Sequence, residues 1–152
     1  MIKNVKQLTV SSTAFENGKP IPKKYTCDSE DVNPPLTIKG TPEQTKSLAL
    51  IIEDPDAPSG LWVHWLVWNI PPTTTLINEN SVPGTEGLNT SRSHNYGGPC
   101  PPLGTHRYFF KVYALDTRLN LKINSTKEDL EKAILPHILA KGELMGVYSR
   151  QH

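Results

Sequence analysis

Four side chains that buried strands normally exclude interrupt the most apolar stretches of this chain: Asp54, His64, His106 and Tyr108. A neutral imidazole offers one hydrogen-bond donor, a protonated one offers two, and a tyrosine offers its hydroxyl. Together they can present several donors to one small tetrahedral or planar anion. Asp54 can accept from an imidazole N–H, which fixes the tautomer and raises the basicity of the ring. On a strand, positions i and i+2 share a face. His106 and Tyr108 therefore point the same way. Arg107 points the opposite way, where it can pair with an acid such as Asp56. His64 shares its face with Trp62 and Leu66. Gly97 and Gly98 add the prospect of backbone N–H groups approaching the anion closely. Such a pocket attracts its ligand by hydrogen bonds more than by fixed charge, and it binds better as pH falls.

Three strong strands must position these groups. Ser47 to Glu53 is nearly continuous in apolar residues, the mark of a central strand buried on both faces. The segment Asp54-Pro55-Asp56-Ala57-Pro58-Ser59-Gly60 breaks it. Trp62 to Ile70 is dense in aromatic and β-branched residues, and His106 to Asp116 forms the third strand. Lys6 to Ser12 reads as a first strand, Asn17-Gly18 as a tight turn, and Thr73 to Pro102 as a long loop. One helix begins at Ser125 or Thr126 with a capping box. Its apolar stripe is Leu130, Ile134, Leu135 and Ile138, Pro136 kinks it, and Gly142 ends it before a last strand from Glu143 to Ser149. Frequent turns between strands favour a mostly β fold. The expected architecture is an antiparallel two-sheet β-sandwich with one C-terminal helix and short helical turns, forming one domain over residues 1–152.

Composition narrows the function classes. The 152 residues carry 16 basic and 15 acidic side chains, a net charge of +1, which argues against a nucleic-acid partner. The longest apolar run, Leu48 to Ile52, is far short of the roughly 18 residues of a membrane span. Met1 to Lys6 is not followed by an apolar leader core, so a cytoplasmic location is the expectation. There Cys27 and Cys100 are by default free thiols, although a disulfide forms if the fold brings them together. Neither sits in a C-x-x-C pair, so no metal is expected. Asn89-Thr90-Ser91 and Asn124-Ser125-Thr126 match a glycosylation pattern and are read as chance.

Three blocks in order carry a family resemblance: Asp54 to Ser59, Trp62-Val63-His64-Trp65, and Gly98-Pro99-Cys100-Pro101-Pro102-Leu103-Gly104-Thr105-His106-Arg107-Tyr108. They resemble the signature blocks of the phosphatidylethanolamine-binding proteins, also called the Raf kinase inhibitor-like family. The resemblance runs over roughly residues 8 to 150. Only Ser59-Gly60-Leu61 separates the first two blocks, and the third has the microbial form, which is similar to the bacterial and archaeal branch. The resemblance implies a β-sandwich with an anion pocket lined by Asp54, His64, His106 and Tyr108, with Gly98 and Pro99 beside it. Asp56, Trp62 and Arg107 would support that pocket. Family members bind phosphate, acetate, phosphoryl-ethanolamine or phosphotyrosine-like groups, and some inhibit kinases or serine proteases. A homodimer follows by analogy with the microbial branch.

The expectation is a non-enzymatic binding protein for a phosphate-like, phosphoryl-headgroup or carboxylate anion, without cofactor, and a regulator or inhibitor of a kinase or protease. The alternative is a hydrolase-type enzyme. It would use Asp54, His64 and His106 for acid–base chemistry, or for metal binding with Asp56, with Ser59, Ser93 or Cys100 as nucleophile. None of these sits in a nucleophile motif such as G-x-S-x-G. The third reading is a purely structural interaction module.

Overall fold

The computed structural model describes residues 4–150. The leader reading at Met1 to Lys3, and the ends of the expected 1–152 domain, lie outside them. The elements in chain order are β1 (Lys6–Gln7), β2 (Thr9–Ser11), β3 (Leu36–Lys39), β4 (Ser47–Asp54), β5 (Trp62–Ile70), β6 (Leu76–Ile77), β7 (Thr85–Glu86), β8 (His106–Leu115), α1 (Lys127–Ile134) and β9 (Ile138–Tyr148). They form a six-stranded sheet in the order β1-β9-β8-β4-β5-β7 and a three-stranded sheet in the order β2-β3-β6. The pairings are antiparallel except at the edge, where β1 joins β9 in parallel. The expected first strand is thus two short ones. It changes sheets at the buried Leu8, whose N–H bonds the Lys141 carbonyl at 2.9 Å.

All eight residues of β4 are buried, because it lies between β5 and β8 with both faces covered. Leu48, Leu50 and Ile52 face the small sheet, where they meet Val10, Leu36, Ile38 and Ile77. Ala49 and Ile51 face the other way, into a second cluster with Leu66, Trp68, Leu130 and Ile134. The large sheet is therefore the middle layer, with the small sheet on one side and α1 on the other.

The helix is shorter than the apolar spacing suggests. Thr126 caps it and exchanges hydrogen bonds with Asp129, as expected of a capping box. It ends at Ile134 in a 3-10 turn over Leu135–His137, because Pro136 cannot continue an α-helical ladder. Leu135 is exposed, and Ile138 already opens β9. Gly142 lies inside that strand instead of stopping a helix. A Cβ at this position would strike the Leu8 carbonyl, so glycine is what allows the backbones to approach. The long loop also holds β6 and β7, two-residue strands too short to show a period-2 pattern.

The free-thiol expectation is overturned: Cys27 and Cys100 form a disulfide with their Cα atoms 5.5 Å apart. They are 73 residues apart in sequence, so only the tertiary fold brings them together. Among the described residues, no helix is long and apolar enough to cross a membrane.

Replacing Thr126 by alanine removes the cap and should cost about 1 kcal/mol. A urea denaturation curve should show a lower midpoint with an unchanged slope.

Candidate functional site

A cavity of about 360 Å³ opens where the ends of β4, β5 and β8 meet the loop before β8. Asp54, Trp62, His64, Gly98, Cys100, His106 and Tyr108 are among its lining residues. The structure thus brings the four chemistry-bearing side chains together. All four come from one sheet: Asp54 is the last residue of β4, and His64 on β5 and His106 and Tyr108 on β8 flank it from the strands on either side.

Asp54 is buried, and both of its oxygens are engaged. Oδ2 accepts from His106 Nδ1 at 2.7 Å, and Oδ1 accepts from the Asp56 N–H at 2.7 Å. The second bond is an Asx-type turn that redirects the chain after β4. It places Asp56 against Arg107. There the carboxylate accepts from the Arg107 backbone N–H, Nε and Nη2, each at 2.9 Å. The guanidinium holds the Asp56 carboxyl down at about 2. Neither Asp56 nor Arg107 lines the cavity. Glu53, beside Asp54 but on the opposite face of β4, is buried against Lys111 at 3.3 Å and Lys127 at 3.1 Å.

His64 reaches the cavity through an irregularity that the sequence pattern hides. Ile52 pairs with Trp65 and Glu53 with Val63, so β5 has one residue more than β4 at this point, a β-bulge at His64. Alternation slips there. Trp65 and Val67 face the small sheet, while Val63 and Leu66 face α1. His64 therefore shares the cavity with Trp62 but not a face with Leu66, which corrects the simple i, i+2 reading. Its Nδ1–H donates to the Gly97 carbonyl at 2.6 Å. Burial pushes the imidazole below its ordinary 6.5, against the opposing pull of the Gly97 carbonyl and the charges of Asp54 and Asp31. The ring is then neutral at pH 7 with its proton on Nδ1, which leaves Nε2 as an acceptor.

Tyr108 lies between the two imidazoles. Its ring meets His64 edge-on at 5.3 Å and stacks near His106 at 6.4 Å. The residue is 1% exposed, and its hydroxyl has no hydrogen-bond partner. Burial, with Asp54 and Asp56 adding, pushes that hydroxyl well above its ordinary value of 10, so it stays protonated. Most buried polar groups are paired, and an orphan beside a cavity is the feature a ligand would satisfy.

The two glycines act differently from expectation. The Gly97 N–H donates to the His64 carbonyl at 3.1 Å, and the Gly98 N–H to Asp31 Oδ1 at 2.7 Å. Both are taken, so neither is free to cradle an anion. Gly98 is glycine because a Cβ would collide with the Tyr25 carbonyl and with Asp31. Pro99 lies outside the lining, and its carbonyl accepts from the Cys27 N–H at 3.1 Å.

Two positioning residues escape a reading by type and spacing. Asp31 adopts φ +58° and holds Gly98. Asn89, buried at 4% exposure, donates to the Asn95 carbonyl at 2.8 Å and accepts from the Ser93 N–H and the Ser91 hydroxyl at 2.9 Å. It fastens the loop against β5 beside His64. Its place in a glycosylation pattern gave no hint of this, and its burial removes it as an acceptor. For the enzyme alternative, Cys100 is in the disulfide and Asp56 is bound by Arg107. Among the described residues, no three His, Cys, Asp or Glu side chains converge in a metal-ligating group.

The sequence model of the family described as phosphatidylethanolamine-binding protein matches residues 11–149. The chain belongs to this family. It is 46% identical over 151 residues to a UPF0098 protein of Methanothermobacter thermautotrophicus, covering 94% of this chain and 99% of that one. A phosphatidylethanolamine-binding protein homologue from Chlamydia trachomatis has a similar structure. The TM-score is 0.92 at 43% identity, over 96% of this chain and 99% of that one. Escherichia coli YbcL, described as a new member of the mammalian family, gives a TM-score of 0.88 at 30% identity, over 95% and 99%. These relatives place the chain in the bacterial and archaeal branch, with the β-sandwich fold of the family.

His64 has its folded value depressed. The unfolded chain therefore takes up a proton below about pH 6.5 that the folded chain resists, and stability should fall as pH drops through that value. Thermal midpoints at pH 7 and pH 5 should show the decline, and His64→Asn should flatten it. Tyr108→Phe removes an unpartnered buried hydroxyl, so the ligand-free protein should gain about 1 kcal/mol.

Proposed function

We propose that the chain binds a small oxyanion, a phosphate, phosphoryl-headgroup or carboxylate group, in the cavity between His64, His106 and Tyr108. The observation that carries this reading is the Tyr108 hydroxyl, buried without a partner between two imidazoles. The hydroxyl supplies a neutral donor. His64 Nε2 supplies an acceptor for a protonated anion oxygen, or a second donor once the ring takes a proton. In both cases a proton accompanies the anion. The carboxylate of Asp54 disfavours a bare anion and makes that proton more valuable. Among the lining residues, Ala57, Pro58, Trp62, Pro101 and Pro102 form an apolar rim suited to the body of a ligand behind its anionic head.

The same reading extends to a protein partner, a kinase or protease regulated through the pocket mouth. Leu61 and Leu103 are exposed beside the cavity, at 41% and 83%. It extends equally to a homodimer of the kind expected for this branch, and to a cytoplasmic location. Sedimentation analysis should find the dimer mass.

Isothermal titration with phosphate, phosphoethanolamine and acetate tests the central claim. Binding in the millimolar range or tighter is expected near pH 6, strengthening as pH falls from 8 to 6 by up to about tenfold per unit. Tyr108→Phe should weaken it by roughly ten- to a hundredfold, the worth of a hydrogen bond to a charged group. No binding at millimolar ligand near pH 6, or binding unaffected by His106→Ala, sinks the proposal.

A further inference from the structure

The disulfide stands in the wall of the same cavity. Cys100 lines it and is exposed, while Cys27 is half-buried. An exposed disulfide is open to attack by a thiolate, whereas an enclosed one is shielded from it. Asp28, paired with Arg150 and Tyr148, packs 4.0 Å from Cys27 Sγ and covers that sulfur, so the approach favours the exposed Cys100.

Breaking the bond would act unevenly on the loop. Its first part is held without the disulfide. The Tyr96 hydroxyl donates to the Tyr25 carbonyl at 2.7 Å, Gly98 N–H to Asp31 at 2.7 Å, and Cys27 N–H to the Pro99 carbonyl at 3.1 Å. The second part depends on it more. Cys100, Pro102, Leu103, Gly104 and Thr105 are all exposed. Pro101 is buried in the cavity wall, and the polar contact from this stretch to the site is the Leu103 carbonyl, facing His106 Nε2 at 3.2 Å. The disulfide anchors one end of this stretch, and β8 anchors the other.

We infer that Cys27–Cys100 is a thiol-exchange site whose opening loosens residues 100–105 and weakens anion binding through His106, with His64 left in place. The ligand class is a small or protein thiol. One thiolate attacks Cys100 Sγ, forming a mixed disulfide and releasing Cys27 as a thiolate. A second thiol attacks the mixed disulfide, leaving as a disulfide with the first and freeing Cys100. Two electrons and two protons pass from two thiols to the protein. This inference rests on the anion-binding reading for its consequence, but not for the exchange itself.

The test equilibrates the whole protein in glutathione buffers of stepped ratio, with thiols trapped and mapped by mass spectrometry. Amide exchange, histidine resonances and phosphate titration are measured on the oxidised and dithiothreitol-reduced forms. The Cys27→Ala/Cys100→Ala variant repeats the reduced state without reductant. If that variant does not fold, reduced wild type carries the same measurements.

The expected result is a folded reduced protein, with a glutathione adduct on Cys100 at intermediate ratios. Exchange should be faster over 100–105, the His106 signals shifted and those of His64 unmoved. Phosphate should bind about tenfold more weakly, a loop-ordering cost at the site. Thiols that appear only as the chain unfolds overturn the inference, as does unchanged exchange over 100–105. An adduct on Cys27 overturns the choice of sulfur. If the oxidised protein binds no phosphate, the proposed function fails by itself, and the adduct and exchange results still decide this one.

Discussion

A carboxylate at the end of a fully buried strand needs partners, and the cavity is organised around how Asp54 finds them. An unpaired charge in such a place is costly. One oxygen takes the His106 N–H, and the other takes the Asp56 N–H. The first bond orients an imidazole at the cavity wall. The second turns the chain so that Asp56 reaches Arg107 on the opposite face of β8. That pairing keeps the only nearby guanidinium among these residues away from the cavity. No Lys or Arg stands among the lining residues, which set imidazoles and a hydroxyl beside one buried carboxylate, and the proposed preference for a proton-carrying anion follows from that.

The opposite wall answers to a second constraint, the accounting of backbone groups around a bulged strand. At His64 the ladder slips by a residue, and polar groups there need new partners. Gly97 supplies both, accepting from the His64 ring and donating to its carbonyl. Asn89 satisfies the adjacent loop, and Asp31 holds Gly98. The close approach of the Tyr25 carbonyl and of Asp31 explains why a glycine stands at 98 better than closeness to a ligand does. These hydrogen bonds also explain why the loop, though long, is well fastened up to Pro99 and relies on the disulfide beyond it.

Much of this was legible along the chain. Continuous apolar character marked β4 as central. Aromatic and β-branched density marked β5 with its ends at Trp62 and Ile70. Period-2 spacing put His106 and Tyr108 on one side of β8, and the Thr126–Asp129 spacing marked the helix start. The three signature blocks supplied what spacing cannot, the meeting of Asp54 and His64 with that pair. The failures have definite causes. Ile138 keeps helical spacing from Ile134 but lies beyond Pro136, which ends the ladder. Leu66 lies beyond a bulge, which reverses alternation.

The sequence by itself determined which segments are buried on two faces, where the helix is capped, and which polar residues interrupt the strands. Those properties depend on neighbours within a few residues, where side-chain period and cap chemistry act. Only the tertiary structure decided that Cys27 meets Cys100, that the glycine N–H groups are already taken, and that the Tyr108 hydroxyl is left without a partner. Each of these depends on groups far apart in the chain, brought together by sheet order and by the extra residue in β5.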